Sequence, residues 1–194
     1  MSTTRISAPP LRVSAWFNTE DAITLDALRG RVVVLHAFQM LCPACVSHGL
    51  PQAAKVHRLF SRDDVVVLGL HTVFEHHAAM APHALEAFLH EYRVPFPVGV
   101  DEPAAAGGIP ATMQAYGLRG TPSLVVIYRQ GAVRFEHFGV IDDMQLGALL
   151  GMLVSEDGPA TRPVADATPS AAPATPSATP ATGPCTDTHC ALPG

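Results

Sequence analysis

Three short runs along the chain are apolar at nearly every position. Val32–Phe38, Val65–Leu70 and Leu124–Tyr128 are rich in β-branched and aliphatic residues and do not alternate with polar side chains. Runs of this length and composition are typical of strands buried on both faces, in the middle of a sheet covered by helices. A turn signal at 129–131 (Arg-Gln-Gly) follows the third run, so Val133–Phe138 is predicted to return as its hairpin partner.

Helical periodicity occupies the segments between and after these runs. Apolar side chains recur at helical spacing in two segments. One begins at Pro82 (Leu85, Phe88, Leu89, Tyr92), and the other follows the predicted hairpin (Leu146, Leu149, Leu150, Leu153). A short helix is expected over Pro110–Tyr116, ended by Gly117. This order of elements predicts an α/β fold of three layers, with a central mixed β-sheet and helices on both faces.

Composition divides the chain into four parts. Residues 1–10 are expected to form a flexible arm, and residues 11–154 a single domain that begins near the only tryptophan, Trp16. Ala, Thr, Pro and Ser dominate residues 155–183, which carry almost no large apolar side chains and are predicted to be a disordered linker. Residues 184–194 form a tail that contains Cys185 and Cys190.

Overall composition narrows the classes of function. The 194 residues are 48% hydrophobic and 15% charged, with a net charge of −5, so we expect neither nucleic acid nor a membrane as a partner. Residues 1–10 carry no apolar stretch of signal-peptide length, and no run approaches the roughly 20 apolar residues of a transmembrane helix. The expected location is the cytoplasm, where paired cysteines are more often catalytic than structural.

The run Cys42-Pro43-Ala44-Cys45 follows the first apolar run after a three-residue turn. Pro43 suits the first position of a helix, so Cys42 is expected at a helix N-terminus, which stabilises its thiolate. Cys45 lies about one turn further along, within disulfide reach. Such a pair is also half of many zinc sites, or can be inert core cysteines, but the dithiol interpretation is the preferred one. Gly49 and Pro51 are expected to bend the helix that follows.

Together with Thr121-Pro122 before the third run, this pattern resembles the thioredoxin superfamily, and in particular its TlpA-like and alkyl-hydroperoxide-reductase (redoxin) group. The resemblance covers about residues 11–154. It implies a cis Thr121–Pro122 bond beside the cysteines, with the backbone of Thr121 pairing with bound substrate. The chain departs from the family at Leu41, where relatives usually carry tryptophan, and at His36, where thioredoxins carry a buried aspartate.

The resemblance implies a thiol–disulfide oxidoreductase with a role in cell redox homeostasis and no cofactor. Thiolate Cys42 would attack a protein or small-molecule disulfide, and Cys45 would resolve the mixed disulfide; an upstream thiol would restore the dithiol. His36 is a candidate base for Cys45, or a satisfied core histidine. The direction of electron flow and the oligomeric state do not follow from the sequence.

Two other functions are considered. Thiol peroxidases of the peroxiredoxin type, which would give an antioxidant activity, carry Thr or Ser three residues before the reactive cysteine, a position held here by Gln39. Copper carriers on this scaffold usually space their cysteines by three residues. The histidine-rich segment 71–83, which includes Glu75, is interpreted as a polar loop rather than a metal site. Cys185 and Cys190 are interpreted as a second redox pair, a soft-metal clip or idle residues.

Overall fold

A computed structural model describes residues 7–104 and 108–156 of the chain. The strands are β1 (Val13–Phe17), β2 (Val32–Phe38), β3 (Val65–His71), β4 (Val98–Asp101), β5 (Ser123–Ile127) and β6 (Val133–Phe138). The α-helices are α1 (Leu50–Leu59), α2 (Pro82–Glu91), α3 (Ala111–Ala115) and α4 (Asp143–Ser155). A π-helical stretch, Cys45–Gly49, leads into α1, and short 3-10 turns cover Asp26–Leu28 and His77–Met80.

The six strands form one mixed sheet in the order β1-β4-β3-β2-β5-β6. The central strands β2, β3 and β4 run parallel, whereas β1, β5 and β6 pair antiparallel with their neighbours. The three apolar runs of the sequence are therefore the adjacent strands β3, β2 and β5, which explains why they are apolar on both faces. The predicted hairpin is β5–β6.

Helices cover both faces of this sheet, as the sequence predicts. Alternate side chains of β2 enter different cores, because successive residues of a strand point to opposite faces. Val34 and Phe38 pack in the larger core with apolar residues of α1, α2 and α4, while Leu35 and Ala37 pack in the smaller core with Met113 and Tyr116 of α3 and its flank. The three-layer thioredoxin-like architecture is thus confirmed.

Some boundaries differ from the sequence prediction. Residues 7–10, assigned to the flexible arm, are hydrogen-bonded to the domain: the Ala8 N–H donates to the Gly131 carbonyl (2.8 Å) and the Tyr116 hydroxyl donates to the Pro9 carbonyl (2.7 Å). Strand β1 was not recognised as a strand, because it lies at the sheet edge and is only half-buried, which leaves a weak pattern.

The helix after Cys42 is irregular where Gly49 and Pro51 predicted a bend. It begins at Pro43, widens to a π-helix over Cys45–Gly49, and becomes α-helical at Leu50. Because Pro51 has no N–H to donate, a locally widened turn ahead of it accommodates the missing bond.

Among the described residues, no helix combines the length and the apolar character needed to cross a membrane. Most of the predicted linker, and the tail with Cys185 and Cys190, lie outside the described residues.

Candidate active site

The cysteine pair lies just beyond the end of β2. A tight turn over 39–41 brings the Cys42 N–H onto the Gln39 carbonyl (3.1 Å), and the Val46 N–H donates to the Cys42 carbonyl (3.1 Å). Cys42 therefore precedes the first helical turn, and Cys45 lies within it. The local order of strand, turn and proline-started helix positions both sulfurs at the same edge of the sheet.

The two sulfurs have unequal surroundings. Cys42 and Cys45 are joined as a disulfide, with Cα atoms 5.2 Å apart. Cys42 is half-buried, whereas Cys45 is 0% exposed and belongs to the larger core. The Cys45 backbone N–H donates to the Cys42 sulfur at 3.2 Å. Helix N-terminal N–H groups stabilise negative charge, so reduction of the disulfide leaves Cys42 as the sulfur best suited to be a thiolate.

The loop before β5 lies against this pair. The Thr121–Pro122 peptide bond is cis, and the Thr121 carbonyl oxygen lies 3.6 Å from the Cys42 sulfur. Two bonds fix the loop: the Gly139 N–H donates to the Pro122 carbonyl (2.9 Å), and the Ser123 hydroxyl donates to the Gly120 carbonyl (2.8 Å). The Thr121 backbone is thus held beside the sulfur that can meet a substrate.

Exposed side chains lie next to the cysteine pair or close to the cis-proline loop. Leu41, which precedes the first cysteine, is 54% exposed, and Val140 and Phe138 are also exposed. The Phe138 ring covers Gly120 so closely that a Cβ there would lie 2.9 Å from Cε2. The Arg119 guanidinium lies 5.2 Å from the centre of the same ring. We define these four side chains, Leu41, Arg119, Phe138 and Val140, as the rim; sequence reasoning noted only Leu41.

His36 lies beneath the helix that carries Cys45. Its ring meets Gly49, where a Cβ would come within 2.4 Å of Cε1 and Nε2, and the same Cβ would lie 3.5 Å from Pro122 Cβ. Within the described part of the chain, His36 Nε2 is buried without a hydrogen-bond partner. Burial lowers the pKa of His36 to about 4, so the imidazole is neutral at physiological pH.

A buried glutamine joins the cysteine turn to the loop after β3. Gln39 is 1% exposed; its Oε1 accepts the Phe74 N–H (3.3 Å), and its Nε2 donates to Glu75 Oε1 (3.2 Å). Glu75 is exposed and so presents its carboxylate at this edge of the fold. Sequence reasoning used Gln39 only to argue against a peroxidase. The sequence feature that points to Gln39 is a polar residue directly after a fully buried strand.

The histidines of segment 71–83 do not converge. His71 ends β3 and is buried against Phe38, with ring centroids 5.3 Å apart, while His76 and His77 are exposed. Over residues 7–104 and 108–156, no three His, Cys, Asp or Glu side chains are grouped so that they could hold a metal ion. Of the candidate residues, the fold brings together Cys42, Cys45, His36 and the cis-proline loop, whereas Cys185 and Cys190 lie outside the described residues.

Comparison with known proteins decides the family. The sequence profile of the redoxin family matches residues 7–150, which is most of the chain. This chain belongs to the redoxin family. The match covers every described strand and contains both cysteines and the cis-proline loop. No curated protein sequence matches this redoxin.

Solved structures agree with that assignment. The thioredoxin-like superfamily protein SPOA0173 is 55% identical to this redoxin, covers 79% of it with 99% of its own chain, and superposes with a TM-score of 0.76. A thiol-disulfide isomerase from Corynebacterium glutamicum is 49% identical and superposes with a TM-score of 0.73. The match covers 77% of this redoxin and 97% of the isomerase. A putative thiol:disulfide interchange protein DsbE from Chlorobium tepidum shares the fold, with a TM-score of 0.62 at 20% identity. The match covers 77% of this redoxin and 96% of that protein.

Proposed function

We propose that this redoxin is a thiol–disulfide oxidoreductase in which Cys42 is the nucleophile and Cys45 the resolving cysteine. The observation that carries the proposal is the inequality of the two sulfurs. Cys42 is half-exposed and accepts the Cys45 N–H at 3.2 Å, while Cys45 is fully buried. Only one sulfur can therefore meet a substrate, and it is the one whose thiolate the helix stabilises.

The reaction is a two-electron exchange in two displacements. The Cys42 thiolate attacks one substrate sulfur, forms a mixed disulfide and expels the other substrate sulfur as a thiolate. Cys45 then loses its proton and attacks the Cys42 sulfur, which releases the second substrate thiolate and forms the Cys42–Cys45 disulfide. An external thiol reductant restores the dithiol by the reverse sequence.

Substrate is proposed to bind along the cis-proline loop and the rim. The Thr121 carbonyl lies 3.6 Å from Cys42 Sγ, so an extended chain paired with this backbone would present its sulfur to Cys42. The exposed apolar members of the rim favour a protein disulfide flanked by apolar side chains, because such contacts bury further apolar surface. The relative named as a thiol-disulfide isomerase supports substrates of this class.

His36 is proposed to act by packing rather than as the base for Cys45. An ordinary thiol has a pKa near 8.5, so a proton transfer to a group with a pKa of about 4 is uphill by roughly 6 kcal/mol. The ring instead fills the space left by Gly49 beneath the active-site helix. The base role is the alternative that a pH–rate profile tests.

The test uses insulin reduction by the purified chain with dithiothreitol as reductant. Cys42→Ser is expected to reduce the rate to that of the reductant alone. Cys45→Ser, reduced and then freed of dithiothreitol before insulin is added, is expected to accumulate a mixed disulfide between Cys42 and an insulin chain, visible by mass spectrometry. An unchanged rate in Cys42→Ser contradicts the proposal. Peroxide consumption and copper content measured on the same samples address the two alternative functions, and cell fractionation addresses the predicted cytoplasmic location.

A further inference from the structure

A cleft lies along the side of the active-site helix. Its volume is about 340 Å³, and one wall consists of every fourth residue of that helix, Val46, Leu50, Ala54 and Arg58. Val46 lies one turn from Cys42, since its N–H donates to the Cys42 carbonyl. At about 1.5 Å per residue, Arg58 lies roughly 20–25 Å from Cys42 along the helix. We call this the helix cleft; it leads from the active site towards the far end of the fold.

A second cleft, which we call the strand cleft, adjoins the helix cleft. Its volume is about 350 Å³, and Pro95 lines both clefts. Two of its lining residues, Arg31 and Arg62, precede β2 and β3 respectively. The strand cleft therefore lies at the amino ends of the parallel strands, whereas Cys42 lies beyond the carboxyl end of β2.

Arginines without a carboxylate partner are concentrated in these two clefts. Within residues 7–104 and 108–156, the arginines that form no ion pair with Asp or Glu are Arg31, Arg58, Arg62, Arg93 and Arg119. All but Arg119 line one of the two clefts, and no acidic residue of this part of the chain lines either cleft. We call these four arginines the basic tract. Because the chain has a net charge of −5, its overall composition does not account for such a cluster of cations.

Arg93 occupies a position where the backbone favours glycine. It follows α2 with a φ of +50°, its N–H donates to the His90 carbonyl (3.1 Å), and the Val94 N–H donates to the Leu89 carbonyl (3.0 Å). This left-handed conformation after a helix is usually supplied by glycine. Local backbone preference therefore does not explain an arginine here, whereas its side chain adds a cation to the helix cleft.

We propose that the helix cleft and the basic tract bind an acidic, extended segment of the protein whose disulfide reacts with Cys42. This inference rests on the proposed function and names the class of substrate. An extended segment rises about 3.3 Å per residue, so acidic residues about six or seven positions from the reactive cysteine reach Arg58 and Arg93. Guanidinium groups pair with carboxylates through two parallel hydrogen bonds, which suits this class of ligand.

The charge of the chain favours a short acidic segment over a broad anionic surface. A membrane or a nucleic acid presents negative charge over a wide area and is repelled by the net charge of −5. A short segment meets only the basic tract, where the local charge is positive.

Mixed disulfides between synthetic peptides and 5-thio-2-nitrobenzoate test the proposal. Each peptide carries one cysteine, a spacer of six Gly and Ser residues, and four Glu or, in the neutral reference, four Gln. The termini are blocked, and each peptide is made in both chain directions. The Cys42 thiolate of the reduced full chain attacks the peptide sulfur and expels the coloured 5-thio-2-nitrobenzoate; Cys45 then attacks Cys42 and releases the peptide thiolate.

The measured quantity is the ratio of the rate constants for the Glu and Gln peptides. At low ionic strength the wild-type ratio is expected to be about ten, and in 0.5 M NaCl it is expected to approach one, because salt screens the attraction. Arg58→Gln/Arg93→Gln is expected to lower the ratio at low ionic strength to about two. A partial loss of folded protein lowers both rates and leaves the ratio unchanged.

Arg12→Gln/Arg134→Gln is the matched control, since it removes the same charge from two ion pairs outside the clefts. It is expected to keep the wild-type ratio. A wild-type ratio near one, or an equal fall in both double variants, would overturn the proposal. A ratio near one, together with binding to phosphatidylserine vesicles that Arg58→Gln/Arg93→Gln abolishes, would assign the basic tract to a membrane and overturn it as well. If the wild type reacts with the Gln peptide no faster than Cys42→Ser does, the proposed function itself fails.

Discussion

Two buried histidines predict that the domain loses stability in mild acid. His36 and His71 are 4% and 1% exposed, and burial lowers the pKa of each to about 4. In the unfolded chain both return to about 6.5. Between pH 6.5 and pH 4 the unfolded state therefore binds more protons than the folded state, so stability present above pH 6.5 is lost as the pH falls through this window.

The size of the effect follows from the two pKa values. At pH 5 an unfolded histidine is almost fully protonated and a folded one with a pKa of about 4 is mostly neutral, which corresponds to about 2 kcal/mol per histidine. The pair together removes about 4 kcal/mol between pH 7.5 and pH 5. Domains are typically stable by about 5–15 kcal/mol, so this loss is readily measured.

Urea unfolding of the reduced protein at pH 7.5, 6 and 5 measures the free energy of unfolding. His71→Leu is expected to recover about 2 kcal/mol of the acid-induced loss, because Leu occupies a similar volume against Phe38 and does not titrate. His76→Gln, at an exposed position in the next loop, is the matched control and is expected to follow the wild-type pH dependence. An acid-induced loss of stability in His71→Leu equal to that of the wild type would show that His71 does not contribute to the pH dependence.

Further predictions concern the support of the active site. Gly49→Ala places a Cβ against the His36 ring and is expected to lower the free energy of unfolding in urea by about 1–3 kcal/mol. Gly147→Ala, in an open helical position, is the control and is expected to be neutral or to stabilise by up to about 1 kcal/mol. Equal effects of the two substitutions would contradict the packing of Gly49 on His36. Gln39→Ala leaves the Phe74 N–H without its acceptor and is expected to cost about 1–3 kcal/mol, with faster amide hydrogen exchange at 74 as the readout. His36→Asn is expected to keep the wild-type pH–rate profile for insulin reduction, and a displaced profile would restore the base role.

The sequence predicted the parts of the site that depend on neighbouring residues. The apolar strand, the three-residue turn and Pro43 determine where Cys42 lies relative to its helix, and all three are contiguous in the chain. The fold class followed equally well, because short β-branched apolar runs bounded by turn residues are typical of strands buried on both faces.

The missed features depend on residues far apart in the chain. The packing of Gly49 on His36 and the cover of Gly120 by Phe138 arise only when helix, sheet and hairpin are assembled. The Gln39–Glu75 bond joins residues 36 positions apart. A polar residue after a buried strand signals that a partner is needed, but the choice of partner is made by tertiary packing rather than by local propensity.

The complete burial of Cys45 has a consequence for timing. Cys45 is 0% exposed, so when a partner is bonded to Cys42, the attack by Cys45 comes from within the core rather than from the solvent. Release of that partner by Cys45 is then a unimolecular step, whose rate does not depend on protein concentration. Glutathione can release the partner only by attacking the mixed disulfide itself, so the release rate extrapolated to zero glutathione measures the internal step alone.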